Sequence, residues 1–222
     1  MGEKIYMTFG ASETLAADVR RFVSLAAKGD SKQVDHALVN DIAERFIDEM
    51  LHAFFMGPMD ALQAEGTMVN LINGVANIVN KAAKGLAKRL LSKIDAQEQA
   101  GLARHFDNIS LDKPTGMRIG FALDDALANR MNVTFDAALN GEVDKDTLLG
   151  VMHAITDGSI AAFLDDSVAQ LKTGMLTRGL IATARGTIRT ASHSATGHMM
   201  SLPPAQRRLV IEYFQSMVTS AN

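Results

Sequence analysis

The sequence predicts an all-α fold: a four-helix unit repeated in tandem and packed as an intramolecular pseudo-dimer, with at most a short extended segment at the N-terminus. Three observations predict it. Ala, Leu, Met, Lys and Glu fill long stretches of the 222 residues, and these are strong helix formers. Runs of β-branched residues, which favour sheet, are scarce. The two halves also match along most of their length. An offset of 112 positions lays Phe9 on Phe121, Leu15 on Leu127, Val19 on Met131, Ala26 on Ala138 and Gly29 on Gly141. An offset of 108 then lays Phe55 on Phe163, Ala61 on Ala169, Gly66 on Gly174 and Ile72 on Leu180. Single matches are cheap in a chain rich in Ala and Leu, but these keep one order from end to end.

Each half then reads the same way. A short two-residue alternation opens it: Ile5, Met7 and Phe9 in the first half, Ile119 and Phe121 in the second. A first helix follows over 12–27 or 122–139. It stops at a glycine suited to a left-handed C-terminal cap, Gly29 or Gly141. The second helix is expected over 33–56 or 145–171, and the third over 60–92 or 174–195. The fourth spans 96–108 or 204–219, with Pro203 and Pro204 suited to a first turn. Asn108–Gly116 holds Pro and Gly without helical periodicity, so it reads as the linker between units 1–112 and 113–222.

The charge pattern points to the third helices. Residues 67–94 carry five basic side chains and no acid, and residues 167–211 carry six and again no acid. Met68, Ile72, Val75, Val79, Ala82 and Leu86 alternate in steps of four and three, which is the seam spacing of packed helices. Asn70, Asn77, Lys81, Lys84 and Lys88 lie on the opposite side. With the 108 offset, Arg178, Arg185 and Arg189 fall on Asn70, Asn77 and Lys81, and His193 joins them. A solvated face accounts for such a pattern. The functional alternative is a paired basic surface for an acidic protein partner or phosphate groups. Nucleic acid is disfavoured, because no aromatics interleave the charges and the chain carries a net charge of −3.

Catalytic patterns are sparse. Glu49-Met-Leu-His52 has the E-x-x-H spacing used by di-iron bundles, but the matching positions Asp157 and Ile160 do not repeat it. His153 and Asp157 stand one helical turn apart and could orient a base, yet no nucleophile is marked beside them. The chain has no Cys, which excludes disulfides and thiolate chemistry and suits a reducing compartment. No stretch reaches about 18 consecutive apolar residues, and the N-terminus lacks an apolar signal-peptide core.

The leading expectation is a cytoplasmic, non-enzymatic interaction or regulatory protein without a cofactor. Its partner-binding residues would be Lys81, Lys84, Lys88, Arg178, Arg185, Arg189 and His193. A second reading is a helical-bundle ligand- or metal-binding protein or enzyme centred on Glu49, His52 and His153, with any ligand pocket lying between the repeats. A third is peripheral attachment of the third helix to an anionic membrane surface, without a spanning segment.

Overall fold

The computed structural model describes residues 4–27 and 35–221. The chain opens with strand β1 (Lys4–Gly10) and helix α1 (Glu13–Ala27). Helix α2 (His36–Leu51) then runs through a π turn (His52–Met56) into α3 (Gly57–Ala61). The long α4 (Thr67–Leu91) and α5 (Ala96–Ile109) follow. A hairpin of β2 (Ser110–Lys113) and β3 (Gly116–Ala122) leads to α6 (Asp125–Leu139). Helix α7 (Lys145–Ile160) passes through a second π turn (Ala161–Asp165) into α8 (Asp166–Ala169). The long α9 (Met175–Met200), α10 (Pro204–Ser216) and β4 (Val218–Ala221) complete the chain.

The fold is mostly helical, and the all-α expectation is corrected by a four-stranded antiparallel sheet in the order β2-β3-β1-β4. Its strands are short, so they leave only two or three alternating residues each in the sequence. The segment expected to be a linker supplies β2 and the turn into β3, where Lys113 pairs with Gly116. The unit boundary expected after residue 112 therefore lies within β2. The last helix stops at Ser216 rather than continuing to 219, because Val218 and Thr219 are β-branched and pair with Met7 and Tyr6. Gly141 follows α6 at φ +77° and donates to the Ala138 carbonyl, as a C-terminal cap should. The matching cap expected at Gly29 lies outside the described residues.

One face of the sheet carries Met7, Phe9, Ile119 and Phe121, all buried. Their rings join helices from both halves. Phe163 of the second π turn lies 5.3 Å from Phe46 of α2 and 5.6 Å from Phe121, mostly edge to face. Phe46 meets Phe106 of α5 at 5.7 Å and Phe9 at 6.0 Å. Edge-to-face packing of this kind adds about 0.5–1.5 kcal/mol per pair beyond the area buried. On the other face Thr8 is fully buried. Its hydroxyl donates to the Met217 carbonyl, lies 3.0 Å from the Thr219 hydroxyl and accepts from Arg118 Nε at 2.7 Å.

The first π turn has a local cause. Pro58 lacks an N–H, and in a regular helix its ring would collide with the carbonyl four residues back. Widening the turn relieves that collision, and Gly57 N–H then reaches back five residues to the His52 carbonyl. The Ala53 carbonyl would find its five-back donor at Pro58, which has none. Tyr213 of α10 supplies the proton instead, its hydroxyl donating to the Ala53 oxygen at 2.9 Å. In the second turn Asp166 N–H reaches the Ala161 carbonyl, and the Ser167 hydroxyl donates to the Phe163 carbonyl.

The run Lys145–Ala169 is long and apolar enough to cross a membrane by length and composition. In this fold one of its faces packs on α9 and β3, and 28% of its most apolar window is buried.

Gly120 sits opposite Thr8 in the β1–β3 ladder, and a Cβ there would lie 2.3 Å from the Met7 carbonyl oxygen and 2.5 Å from Thr8 Cγ2. Gly120→Ala is expected to destabilise the protein by about 1–3 kcal/mol in urea unfolding, the usual range for overpacking. Gly10→Ala, where a Cβ would meet nothing within 4 Å, serves as the neutral control.

Candidate functional site

The long helices α4 and α9 pack against each other across the middle of the molecule, flanked by α2 and α7. Small side chains of both helices line the space there, Ala83 and Ala87 on α4 and Ser192, Ala195 and Thr196 on α9, beside the larger Val79, Leu86 and Ile188. Bulky groups stand around them, including Met50, Phe54, Met152, Phe163 and Met199. Small residues at the contact leave space that large rigid neighbours cannot collapse into. The result is a cavity of about 170 Å³ with walls from both halves and from both π turns.

The cavity offers a ligand few polar contacts. The hydroxyls of Thr156, Ser159, Ser167, Ser192 and Thr196 line it, and all but that of Ser192 donate to a carbonyl three or four residues back at 2.8–3.0 Å. Such back-bonding consumes the donors that a polar ligand would need.

A second depression, about 720 Å³, opens at the surface where β1 ends. Glu49 and His52 of the E-x-x-H pattern both line it, with Asp48, Arg118 and Tyr213. Glu49 is committed to α1: its carboxylate accepts from Ser12 N–H at 2.9 Å and from the Ser12 hydroxyl at 2.5 Å. The positive end of that helix suits a carboxylate. His52 is exposed and lies 3.7 Å from Asp60. Burial, then the charge of Asp60, holds the Tyr213 phenol above its ordinary value, against a smaller opposing effect of Arg118.

A comparison with family models, curated proteins and solved structures finds no match to this chain. The chemistry of its own side chains is what remains to indicate a function.

His153 is not part of the cleft that holds Glu49 and His52. It stacks on His193 of α9, with ring centroids 4.0 Å apart and planes 8° from parallel. Asp157 accepts two bonds from Arg189, at 2.7 and 2.8 Å, and lies 2.9 Å from His193 Nε2. The Arg189 guanidinium, outweighing burial, keeps the Asp157 carboxyl below its usual range. Burial and the neighbouring His193 push the His153 imidazole below its ordinary value. Among the described residues no group of three or more His, Asp or Glu side chains is arranged to hold a metal ion.

The basic face is largely used inside the molecule. Lys84 pairs with Asp48 of α2 at 2.6 Å, Arg185 with Asp165 at 2.9 Å and Arg189 with Asp157. These pairs tie each long helix to the one before it. Exposed pairs of this sort are screened by water and add little stability, so their main effect is to set register. Among the described residues no carboxylate lies within salt-bridge distance of Lys81, Lys88 or Arg178.

Sequence reasoning passed over Arg118 and Tyr213, and it named no lining residue for a pocket between the repeats. One signal was present: Ala83 and Ala87 fall on Ala191 and Ala195 under the 108 offset, small residues one turn apart in both long helices.

The imidazoles set an acid dependence whose sign is fixed. His153, and more strongly buried His105, have pKa values lowered in the folded state by desolvation. Their stabilising effect is complete above the unfolded value of 6.5 and is lost as pH falls below it towards the folded values. Urea midpoints are expected to drop as pH is lowered through that window. The slope should flatten in His153→Asn and flatten further when His105→Asn is added. Asp157, with its lowered pKa, contributes above 3.8, and that contribution is lost only below it.

Proposed function

We propose that this protein binds a small apolar ligand, a single aromatic ring or a short hydrocarbon chain, in the cavity between its halves. The observation that carries the reading is the lining: apolar or small side chains from α2, α4, α7 and α9, with four of its five hydroxyls, all but that of Ser192, turned to their own helices. An apolar guest would give the wall atoms the van der Waals neighbours they lack. It would also gain about 25 cal/mol for each Å² it removes from water. A cavity near 150 Å³ lined by Leu, Ile and Phe is known to admit benzene, so about 170 Å³ suits a guest of similar size.

We further infer that the two halves descend from one duplicated unit, which would make the cavity a site on a pseudo-twofold axis. The same succession of strand, helix, π-interrupted helix, long helix, helix and strand occurs on each side of the hairpin turn. The offset of 112 that superposes Phe9 on Phe121 also superposes Thr8 on Gly120, which are partners at the centre of the β1–β3 ladder. Ser110 faces Ile119, while their counterparts Val218 and Met7 face each other. Each half's closing strand thus lies against the other half's opening strand.

Toluene titrated into protein labelled at its methionine methyls tests the ligand reading. Saturable shifts are expected at Met50, Met152 and Met199, three of the lining residues. The double variant Ala87→Leu, Ala195→Leu fills the space, so the shifts should vanish while the unfolding midpoint holds or rises. Equal toluene binding by the filled variant would sink the idea.

One observation favours a second reading, contact with an anionic partner at the start of α9. Met175 and Leu176 are 89% and 88% exposed beside Arg178, and the sequence has no acid between Asp166 and Glu212. Co-sedimentation with vesicles of anionic phospholipid should fall at least fivefold in Met175→Ser, Leu176→Ser, Arg178→Glu. If the triple variant sediments like the parent, α9 is merely solvated there.

A further inference from the structure

The surface cleft at the end of β1 contains one charge that nothing around it answers. Arg118 sits on β3, half-buried, and its guanidinium is fixed from behind. Nε donates to the Thr8 hydroxyl at 2.7 Å and Nη2 to the Thr8 carbonyl at 3.1 Å. A guanidinium has five N–H donors in a planar fork, so three remain. Among the described residues no carboxylate lies within 4.0 Å of it, although two carboxylates line the same cleft.

Those two carboxylates are spoken for. Asp48 is held by Lys84 at 2.6 Å, with Asn80 donating at 3.4 Å. Glu49 is bound by the Ser12 N–H and hydroxyl at the start of α1. His52, the cleft's other ionisable base, faces Asp60. Among the described residues lining the cleft, Arg118 is then the cation without a counter-charge. Half-burial makes that costly, because an unpaired charge loses hydration without gaining a partner.

We propose that the cleft binds a small organic monocarboxylate, its carboxylate bridging the free edge of the Arg118 guanidinium and its apolar body lying towards Phe9, Ala53 and Met217. The fork of parallel N–H groups matches the two oxygens of a carboxylate. The cleft's volume, about 720 Å³, lies inside the usual range for small-molecule sites. The charges of Asp48 and Glu49 on the same rim select against a phosphate dianion, whose second charge would be repelled. This site is separate from the apolar cavity and does not depend on its having a guest.

Benzoate and inorganic phosphate, titrated separately at constant ionic strength, test the assignment. The Arg118 Nε–H resonance of the intact protein is expected to shift saturably with benzoate, with phosphate binding at least tenfold more weakly. Arg118→Gln should weaken benzoate binding at least tenfold, and Arg118→Lys should recover only part of it. Because Arg118 also holds Thr8, each variant's thermal midpoint is recorded. Ser216→Glu, on the exposed cleft wall, offers an internal competitor that leaves the Thr8 bonds in place, and it too should weaken benzoate binding at least tenfold. Benzoate binding that leaves the Arg118 Nε–H unmoved, or that survives Arg118→Gln, would overturn the proposal. So would phosphate binding as tightly as benzoate, or no saturable benzoate binding by the parent protein.

Discussion

The close approach of β1 and β3 at Thr8 and Gly120 fixes where the helices of both halves can stand. There is no room for a side chain at Gly120, so the two strands meet backbone to backbone. Thr8 then binds β4 through the Met217 carbonyl and receives Arg118 from β3. On the opposite face the strands present Phe9 and Phe121 to Phe46 and Phe163. A small sheet thereby aligns α2 and the second π turn about one line. The long helices that follow each of them can meet only across that line.

What meets there is thin. Ala83, Ala87 and Ala195 bring α4 and α9 together without filling the space between them, while aromatic and methionine side chains hold the perimeter. The two π turns matter here because a widened turn displaces side chains sideways from the regular helical face. Phe54 and Phe55 of one turn, and Phe163 and Leu164 of the other, reach the cavity by that displacement. The first turn is supported from outside by Tyr213, so the hydroxyl that satisfies Ala53 also stands on the wall of the Arg118 cleft. Cavity and cleft therefore lie on opposite sides of one distorted turn.

Helices were legible in the sequence because their spacing is long enough to repeat. Val39, Ile42 and Phe46 recur at helical intervals and are buried together, and Gly141 marks the end of α6. The sheet was legible only as two hints, Ile5-Met7-Phe9 and Ile119-Phe121, since four-residue strands such as β2 and β4 carry too few residues for a period to register. Arg118 was invisible for another reason. In sequence it is one basic residue beside the turn at Lys113–Gly116, and its isolation from carboxylates exists only once Asp48 and Glu49 have taken other partners. Periodicity groups the basic side chains of α9, but Asp165 and Asp157 answer Arg185 and Arg189 from outside that helix, and that pairing has no linear signature.

The pairing of β1 with β4 also sets an order of events at the ribosome. Thr8 and Thr219, whose hydroxyls lie 3.0 Å apart, are separated by 211 positions. At about 5–20 residues per second, β1 emerges on the order of 10–40 seconds before its outer neighbour exists. Its inner neighbour β3 arrives roughly halfway through that interval. Until β3 arrives β1 has both edges open, and until β4 arrives it keeps one open, the condition in which strands find the wrong mates. In a nascent chain of this design the outer edge of β1 stays unpaired until synthesis has reached β4.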